Sequence, residues 1–142
     1  MHDFPTPETW LAHRVSYGET DCMGVMYYAE YLHLFERGRS EFIRERGISY
    51  SEIEKRGYLL PVREAACRYR SPCRYDDLIW IRIGIAELGR ASLRFVYEIR
   101  NEDKSALLAS GETQHALVNS DMQPQRMPGW LTNLLTGANA SS

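Results

Sequence analysis

The sequence predicts an α+β domain in which an antiparallel sheet of about five strands wraps around one long helix. Two observations predict it. Tyr27, Tyr31, Leu34, Phe35, Phe42 and Ile43 recur at helical spacing between about Tyr27 and Arg46, with Gly38 on the same stripe. Beyond Tyr58, apolar and polar residues alternate with period two through four extended runs, the pattern of a sheet with one face covered.

Each element follows in order. Trp10 to Tyr17 reads as a first strand with Leu11, His13, Val15 and Tyr17 on one face. The long helix begins at Tyr27 or Tyr28. Glu30, His33, Arg37, Glu41, Arg44 and Glu45 lie mostly around its other side, where Arg37 with Glu41 and Glu41 with Arg44 have spacings that support an exposed face. Gly38 costs about 1 kcal/mol against alanine inside a helix, so its place on the stripe predicts close approach to another backbone. Gly47 after Arg44 and Arg46 is a stop signal. Ser49 and Glu52 have capping-box spacing for a short second helix that Gly57 closes. The extended runs are Leu59 to Arg70, Leu78 to Leu88, Ser92 to Arg100 and Ala106 to Asn119. Turns fall at Ser71–Pro72 with Tyr75–Asp76–Asp77, at Gly89–Arg90 and at Asn101 to Ser105. Pro124 and Pro128 end the last strand, Gly129 to Leu135 reads as a small terminal helix, and Gly137 to Ser142 as a frayed polar tail.

Composition sets bounds on function. A chain of 142 residues, 44% hydrophobic and 25% charged, suits one globular domain with a real core. A formal charge of -2 argues against a dedicated nucleic-acid partner. No apolar run reaches the length of a membrane span, and Met1 to Pro7 lacks the basic and apolar regions of a leader peptide. Cys22, Cys67 and Cys73 are odd in number and lack paired spacing, which favours free thiols in a reducing, cytoplasmic compartment.

The segment from Tyr17 to Tyr28, YGETDCMGVMYY, carries the chemistry. It delivers the Asp21 carboxylate from a strand end, through a glycine turn, to the start of the long helix. There the helix dipole is positive and the backbone N–H groups lack partners. A carboxylate so placed can attack a carbonyl or activate water while the N–H groups polarise that carbonyl, which suggests acyl chemistry without serine, cysteine or metal. Turn forming or helix capping is the plainer role for this aspartate.

The run Tyr17-x-Glu-Thr-Asp21-x-x-Gly24-Val-x-Tyr-Tyr28-x-x-Tyr31, followed by Phe35-Glu36-x-x-Arg39, resembles the signature of hotdog-fold acyl-CoA thioesterases. It is most similar to the 4-hydroxybenzoyl-CoA thioesterase type, including its Tol-Pal-associated branch. The likeness continues through Pro61, Tyr69, Tyr75–Asp76–Asp77, Arg90-x-Ser92 and the final strand. The resemblance implies a central helix wrapped by an antiparallel sheet, and a homodimer with a continuous sheet or a homotetramer, with the active site shared between subunits. It implies an acyl-CoA or acyl carrier protein thioester as substrate, hydrolysed without cofactor or metal. By position, Asp21 matches the catalytic carboxylate, as nucleophile or general base, and the Tyr28 N–H the donor to the thioester carbonyl. Gly24, Val25 and Tyr27 fall on the substrate loop, and Arg90 in the turn where basic residues meet the nucleotide. Tyr28 stands where many Tol-Pal members carry histidine; the backbone donor survives that change.

Other candidates have plainer readings. Cys22 lacks a nearby histidine in sequence, although His115 could approach in space; a small buried hydrophobe is the usual role of a free cysteine. Glu19 reads as a solvated or hydrogen-bonded neighbour, Glu36 as a structural hydrogen-bonding group and His115 as a packed or interfacial residue. Glu30-x-x-His33 has di-metal spacing but no second pair. Arg63, Arg68, Arg70, Arg74, Arg90 and Arg94 are the richest basic set, suited to phosphates but also to a solvated sheet face. Two alternatives stand beside hydrolysis: hydration or dehydration of an acyl thioester, which typically uses a histidine not found near Asp21 in sequence, and a non-catalytic acyl-thioester-binding scaffold.

Overall fold

The computed structural model describes residues 4–138. The expectations for Met1 to Asp3, and for the tail beyond residue 138, lie outside the described residues. The chain runs β1 (Glu8–Arg14), a 3-10 turn (Tyr17–Glu19), α1 (Tyr28–Glu45), α2 (Tyr50–Lys55), β2 (Val62–Tyr69), β3 (Leu78–Leu88), β4 (Ser92–Arg100), β5 (Leu107–Ala116) and α3 (Gly129–Thr136). All strand pairs are antiparallel, in the order β1-β3-β4-β5-β2. After the helices the chain crosses to the far edge, laying β2 beside β5.

The stripe read from the sequence is the buried face of α1 at Tyr31, Leu34, Phe35, Gly38, Phe42 and Ile43, but Tyr27, expected to begin it, is the N-cap and lies exposed ahead of the first turn. The buried stripe lies on Ile79, Ile81, Ile83, Leu93, Phe95, Tyr97 and Ile99, all buried on the inner face of the sheet. Phe35 stacks on Tyr97 with ring centroids 4.2 Å apart. Gly38 faces Ile81 and Ile83 on β3. A Cβ there would sit 2.6 Å from Ile83 Cγ1, so the close neighbours are isoleucine side chains rather than the expected backbone. Ser49 caps α2 as expected, its Oγ accepting the Glu52 N–H at 3.1 Å.

Two local expectations are corrected. β1 ends at Arg14, and Tyr17, expected to continue the strand on the face of Leu11, His13 and Val15, is 78% exposed on the 3-10 turn, edge-on to Tyr75. The turn takes over because Glu19 accepts the Ser16 N–H, closing the chain on itself before a strand can continue. Arg37 reaches His13 on β1 at 2.9 Å rather than Glu41; Glu41 pairs with Arg44 at 3.4 Å, as expected.

Arg39 on the same helix is buried, which the charge pattern did not announce. It starts a one-way chain of donors. Its Nη1 donates to the Tyr97 hydroxyl at 3.2 Å, Tyr97 to Thr113 at 2.6 Å, Thr113 to His115 Nε2 at 2.8 Å, and His115 Nδ1 to the Leu60 carbonyl at 3.0 Å. The arginine cannot accept and the carbonyl cannot donate, so with His115 neutral Nδ1 donates, Nε2 accepts, and the direction of every bond follows. His115 is therefore the expected packed histidine. Burial, with the Arg39 charge helping and the Leu60 carbonyl opposing, pushes its pKa down to about 4. The unfolded chain binds that proton near the ordinary value of about 6.5. His115 thus costs nothing above that pH and destabilises the fold progressively as pH falls toward 4. Urea unfolding across that window should show this acid loss in the parent and less of it in His115→Gln; equal pH dependence would contradict it.

The outer face of the sheet is charged and cross-paired: Glu8–Arg82 at 2.6 Å, Arg82–Glu98 at 3.1 Å, Arg100–Glu98 at 2.9 Å and Arg94–Glu112 at 3.0 Å. β2 is different. It is an edge strand exposed along almost its whole length, with Val62 47% and Tyr69 49% accessible. No helix among the described residues is long and apolar enough to cross a membrane.

Candidate active site

The loop between the 3-10 turn and α1 is a closed ring. Thr20 bridges to Met26 and Val25 to Arg74. Asp21 N–H donates to the Val25 carbonyl at 2.9 Å and Gly24 N–H to the Asp21 carbonyl at 3.0 Å. Gly24 turns the chain at φ 76°, a conformation that disfavours a side chain even though a Cβ there would meet nothing.

Asp21 is exposed on this ring. Its Oδ1 accepts the Met23 N–H at 2.9 Å and, more weakly, the Val25 N–H at 3.4 Å. One oxygen is thus held by the loop, and Oδ2 takes no hydrogen bond among the described residues. Asp21 does serve as a turn former, but it does not cap α1; the N-cap is Tyr27, which gives the helix no side-chain acceptor. The N–H of Tyr28 therefore opens the helix among the groups that lack intrahelical partners, at the positive end of the dipole. Tyr27 and Tyr28 stand out of the surface with rings 4.5 Å apart.

Beside the helix start lies a cavity of about 260 Å³ lined by Met26, Tyr28, Tyr31, Tyr69, Arg70 and their neighbours. Tyr31 and Tyr69 meet edge to face at 4.8 Å. The Tyr69 hydroxyl donates to the Tyr28 carbonyl at 3.1 Å, tying the end of β2 to the first turn of α1. Burial, together with Cys67, pushes the Tyr69 phenol up to about 12, so it stays a donor. Nothing local to Tyr69 in the sequence says which helix residue that strand end will meet. A larger depression of about 540 Å³ is lined by Asp76, Asp77, Glu102 and Asp103; its charge is wrong for a polyphosphate.

The remaining candidates separate from this centre. Arg90 is exposed at the opposite end of the sheet. Tyr69 pairs with Ala109 and Ala109 with Ile99, and the path along β4 from Ile99 back to Ser92, at roughly 3.3 Å per residue, is about 23 Å. Arg126 stands beside Arg90, the Met127 N–H donating to the Arg90 carbonyl at 2.7 Å. Arg94 is occupied by Glu112. Cys22 is exposed, not buried, and His115 is no base for it, since both ring nitrogens are engaged inside the core. Glu36 is exposed and makes no side-chain hydrogen bond among the described residues. Glu30 and His33 belong to no group of metal-ligating side chains among them.

Residues 15–135 match the family described as the Thioesterase-like superfamily. The chain belongs to that superfamily, and its architecture is the hotdog fold. This thioesterase-like chain is 31% identical over 118 residues to the acyl-CoA thioester hydrolase YbgC of Escherichia coli, covering 81% of this chain and 86% of that one. It superposes on a DHNA-CoA thioesterase from Staphylococcus aureus with a TM-score of 0.84 and 28% identity, covering 94% and 91% of the two chains. A 4-hydroxybenzoyl-CoA thioesterase mutant bound to 4-hydroxybenzoyl-CoA has a TM-score of 0.82 at 15% identity, covering 90% and 98%, a likeness of fold alone.

Proposed function

We propose that this thioesterase-like protein hydrolyses acyl-CoA thioesters to a carboxylic acid and free coenzyme A, with Asp21 as the reacting carboxylate. The observation that carries this reading is the half-held carboxylate: Oδ1 is tied to the Met23 N–H while Oδ2 is unengaged, on a loop that runs directly into an uncapped helix start. The thioester carbonyl would accept the Tyr28 N–H, so charge developing on its oxygen meets the positive end of α1. Oδ2 then either attacks the carbonyl carbon, expelling the thiolate and leaving a mixed anhydride for water to open, or removes a proton from the attacking water. Gly24, Val25 and Tyr27 shape the approach. His13, the histidine bonded to Glu19 in this region, has both ring nitrogens occupied by Glu19 and Arg37, so no observation favours hydratase chemistry. A thiol-release assay over a panel of acyl-CoA and acyl carrier protein thioesters tests the proposal. Binding without thiol release would instead mark a scaffold.

The active protein is a homodimer, or a homotetramer built from it. The exposed edge of β2 supports this reading, because unpaired edge strands are normally paired or protected. Antiparallel pairing of β2 with its copy would carry the Arg63- and Arg90-bearing end of the partner sheet toward the Tyr28–Tyr69 cavity. Sedimentation should show a dimer or tetramer at micromolar concentration; a fully active monomer would refute it.

Arg90 serves the nucleotide of coenzyme A in this assembly. A charge-assisted phosphate contact is worth roughly 1.5–3 kcal/mol. Arg90→Ala should therefore raise KM for acyl-CoA several-fold to about a hundredfold with kcat little changed, the pattern of lost uniform binding. An acyl-pantetheine, lacking the nucleotide, should barely register the change. Equal effects on the two substrates would make Arg90 an ordinary turn residue. The three free cysteines support a cytoplasmic, reducing setting.

A further inference from the structure

We propose that Glu19, clamped by His13 and Arg37, is the positioning residue that sets the Asp21 carboxylate against the start of α1; this rests on the reading of Asp21 as the reacting group. Three elements converge on it. Arg37, in the middle of α1, directs Nη1 at His13 Nδ1 on β1 at 2.9 Å. A guanidinium only donates, so Nδ1 must be the accepting nitrogen and the proton sits on Nε2. Nε2–H then points at the Glu19 carboxylate, 2.9 Å from Oε1 and 3.1 Å from Oε2. The Ser16 N–H adds a second donor, to Oε1, at 2.7 Å. The His13 and Glu19 side chains are only 11% and 15% exposed. Burial works against the Glu19 charge, but the Ser16 N–H and the His13 imidazole outweigh it and hold the carboxyl below its ordinary range.

Glu19 also works through its backbone. Its carbonyl accepts the Tyr27 N–H at 2.8 Å. The two arms of the site thus leave from one residue: Asp21 lies two positions ahead along the chain, and the Tyr28 N–H follows directly on the group that Glu19 holds. The carboxylate side chain anchors that residue to β1 and to the body of α1, so the clamp sets the separation between attacking group and carbonyl donor. The alternative is a carboxylate that only closes its own 3-10 turn, and it makes a different prediction: stability would change and turnover would not.

The experiment compares Glu19→Ala, Glu19→Gln, Arg37→Met and Asp21→Asn by steady-state kinetics on one acyl-CoA, with circular dichroism of each variant. Loss of positioning costs up to about a hundredfold. Glu19→Ala should therefore lose about ten- to a hundredfold in kcat, with KM within about threefold of the parent. Glu19→Gln keeps an acceptor for Ser16 and His13 and should recover most of that loss. Arg37→Met, an exposed helix position, should lower kcat a few-fold without unfolding the chain, and it decides the matter if Glu19→Ala fails to fold. Parental kcat in folded Glu19→Ala, or in Arg37→Met when Glu19→Ala does not fold, with Asp21→Asn inactive, overturns the clamp. So does a loss confined to KM. An active Asp21→Asn overturns the catalytic reading of Asp21 itself.

Discussion

Asp21→Asn is expected to fold as the parent does and to lose at least about a hundredfold in acyl-CoA turnover, since general acid–base catalysis contributes about 10²–10⁴-fold and a nucleophilic role would cost no less. The asparagine variant is the cleaner of two. It keeps a carbonyl oxygen to accept the Met23 N–H, at 2.9 Å in the parent, so the ring from Thr20 to Met26 retains its internal bond. It cannot attack a thioester or take a proton from water. Asp21→Ala removes the chemistry and the turn bond together and should be at least as impaired. A gap between the two variants measures what the turn contributes to holding the loop. Asp21 is exposed on its ring, so neither change should lower thermal stability much. Near-parental turnover in folded Asp21→Asn would remove this carboxylate from the mechanism.

The largest loss of stability is expected for Phe35→Ala, about 3–5 kcal/mol by analogy with other buried aromatic truncations. Phe35 is fully buried, stacks on Tyr97 with its ring only 7° from parallel, and fills the space that Gly111 leaves open on β5. A Cβ on Gly111 would collide with that ring and with the Ala66 carbonyl. Helix and sheet are therefore complementary at this point in both directions: the ring needs the glycine, and the glycine without the ring leaves a void. Truncation also removes the aromatic support of Tyr97, a member of the buried donor chain from Arg39. Urea unfolding at matched protein concentration measures the effect, concentration being held because an assembly shifts apparent stability. A cost below about 1 kcal/mol would mean the core collapses around the gap, and the complementarity with Gly111 would not matter.

The elements themselves were legible from local pattern. A helix buries every third or fourth residue and a one-sided sheet every second, so the stripe from Tyr31 to Ile43 and the alternation in Leu78–Leu88 and Ser92–Arg100 carried their own geometry. The Asp21–Gly24–Tyr28 segment was legible for the same reason: loop, glycine turn and helix start are contiguous in the chain. Ser49 before α2 was read from a spacing of three. A local spacing rule for a charge gives way when a distant partner is available: Arg37 leaves Glu41 for His13, twenty-four positions away. No local pattern announces that Arg39 turns into the core, where Tyr97 offers it an acceptor.

Chain pattern determined the class of fold, the long helix, the covered sheet face and the placement of one carboxylate on the loop that leads into the long helix. Tertiary structure decided the rest. Strand order brought Tyr69, on an edge that comes early in the chain, against the first turn of α1. The same order put Arg90 at the far end of the sheet, a separation invisible when residues are read only by position in a motif. The crossing of α1 over β3 made Gly38 a contact for isoleucine side chains. The clamp of Arg37, His13 and Glu19 joins a helix, a strand and a turn. Periodicity reports which way a side chain faces, and a motif reports what its neighbours along the chain can do. Neither reports which residue from another element arrives at hydrogen-bonding distance, because that depends on how the elements cross, and the crossing is set by packing of the whole core.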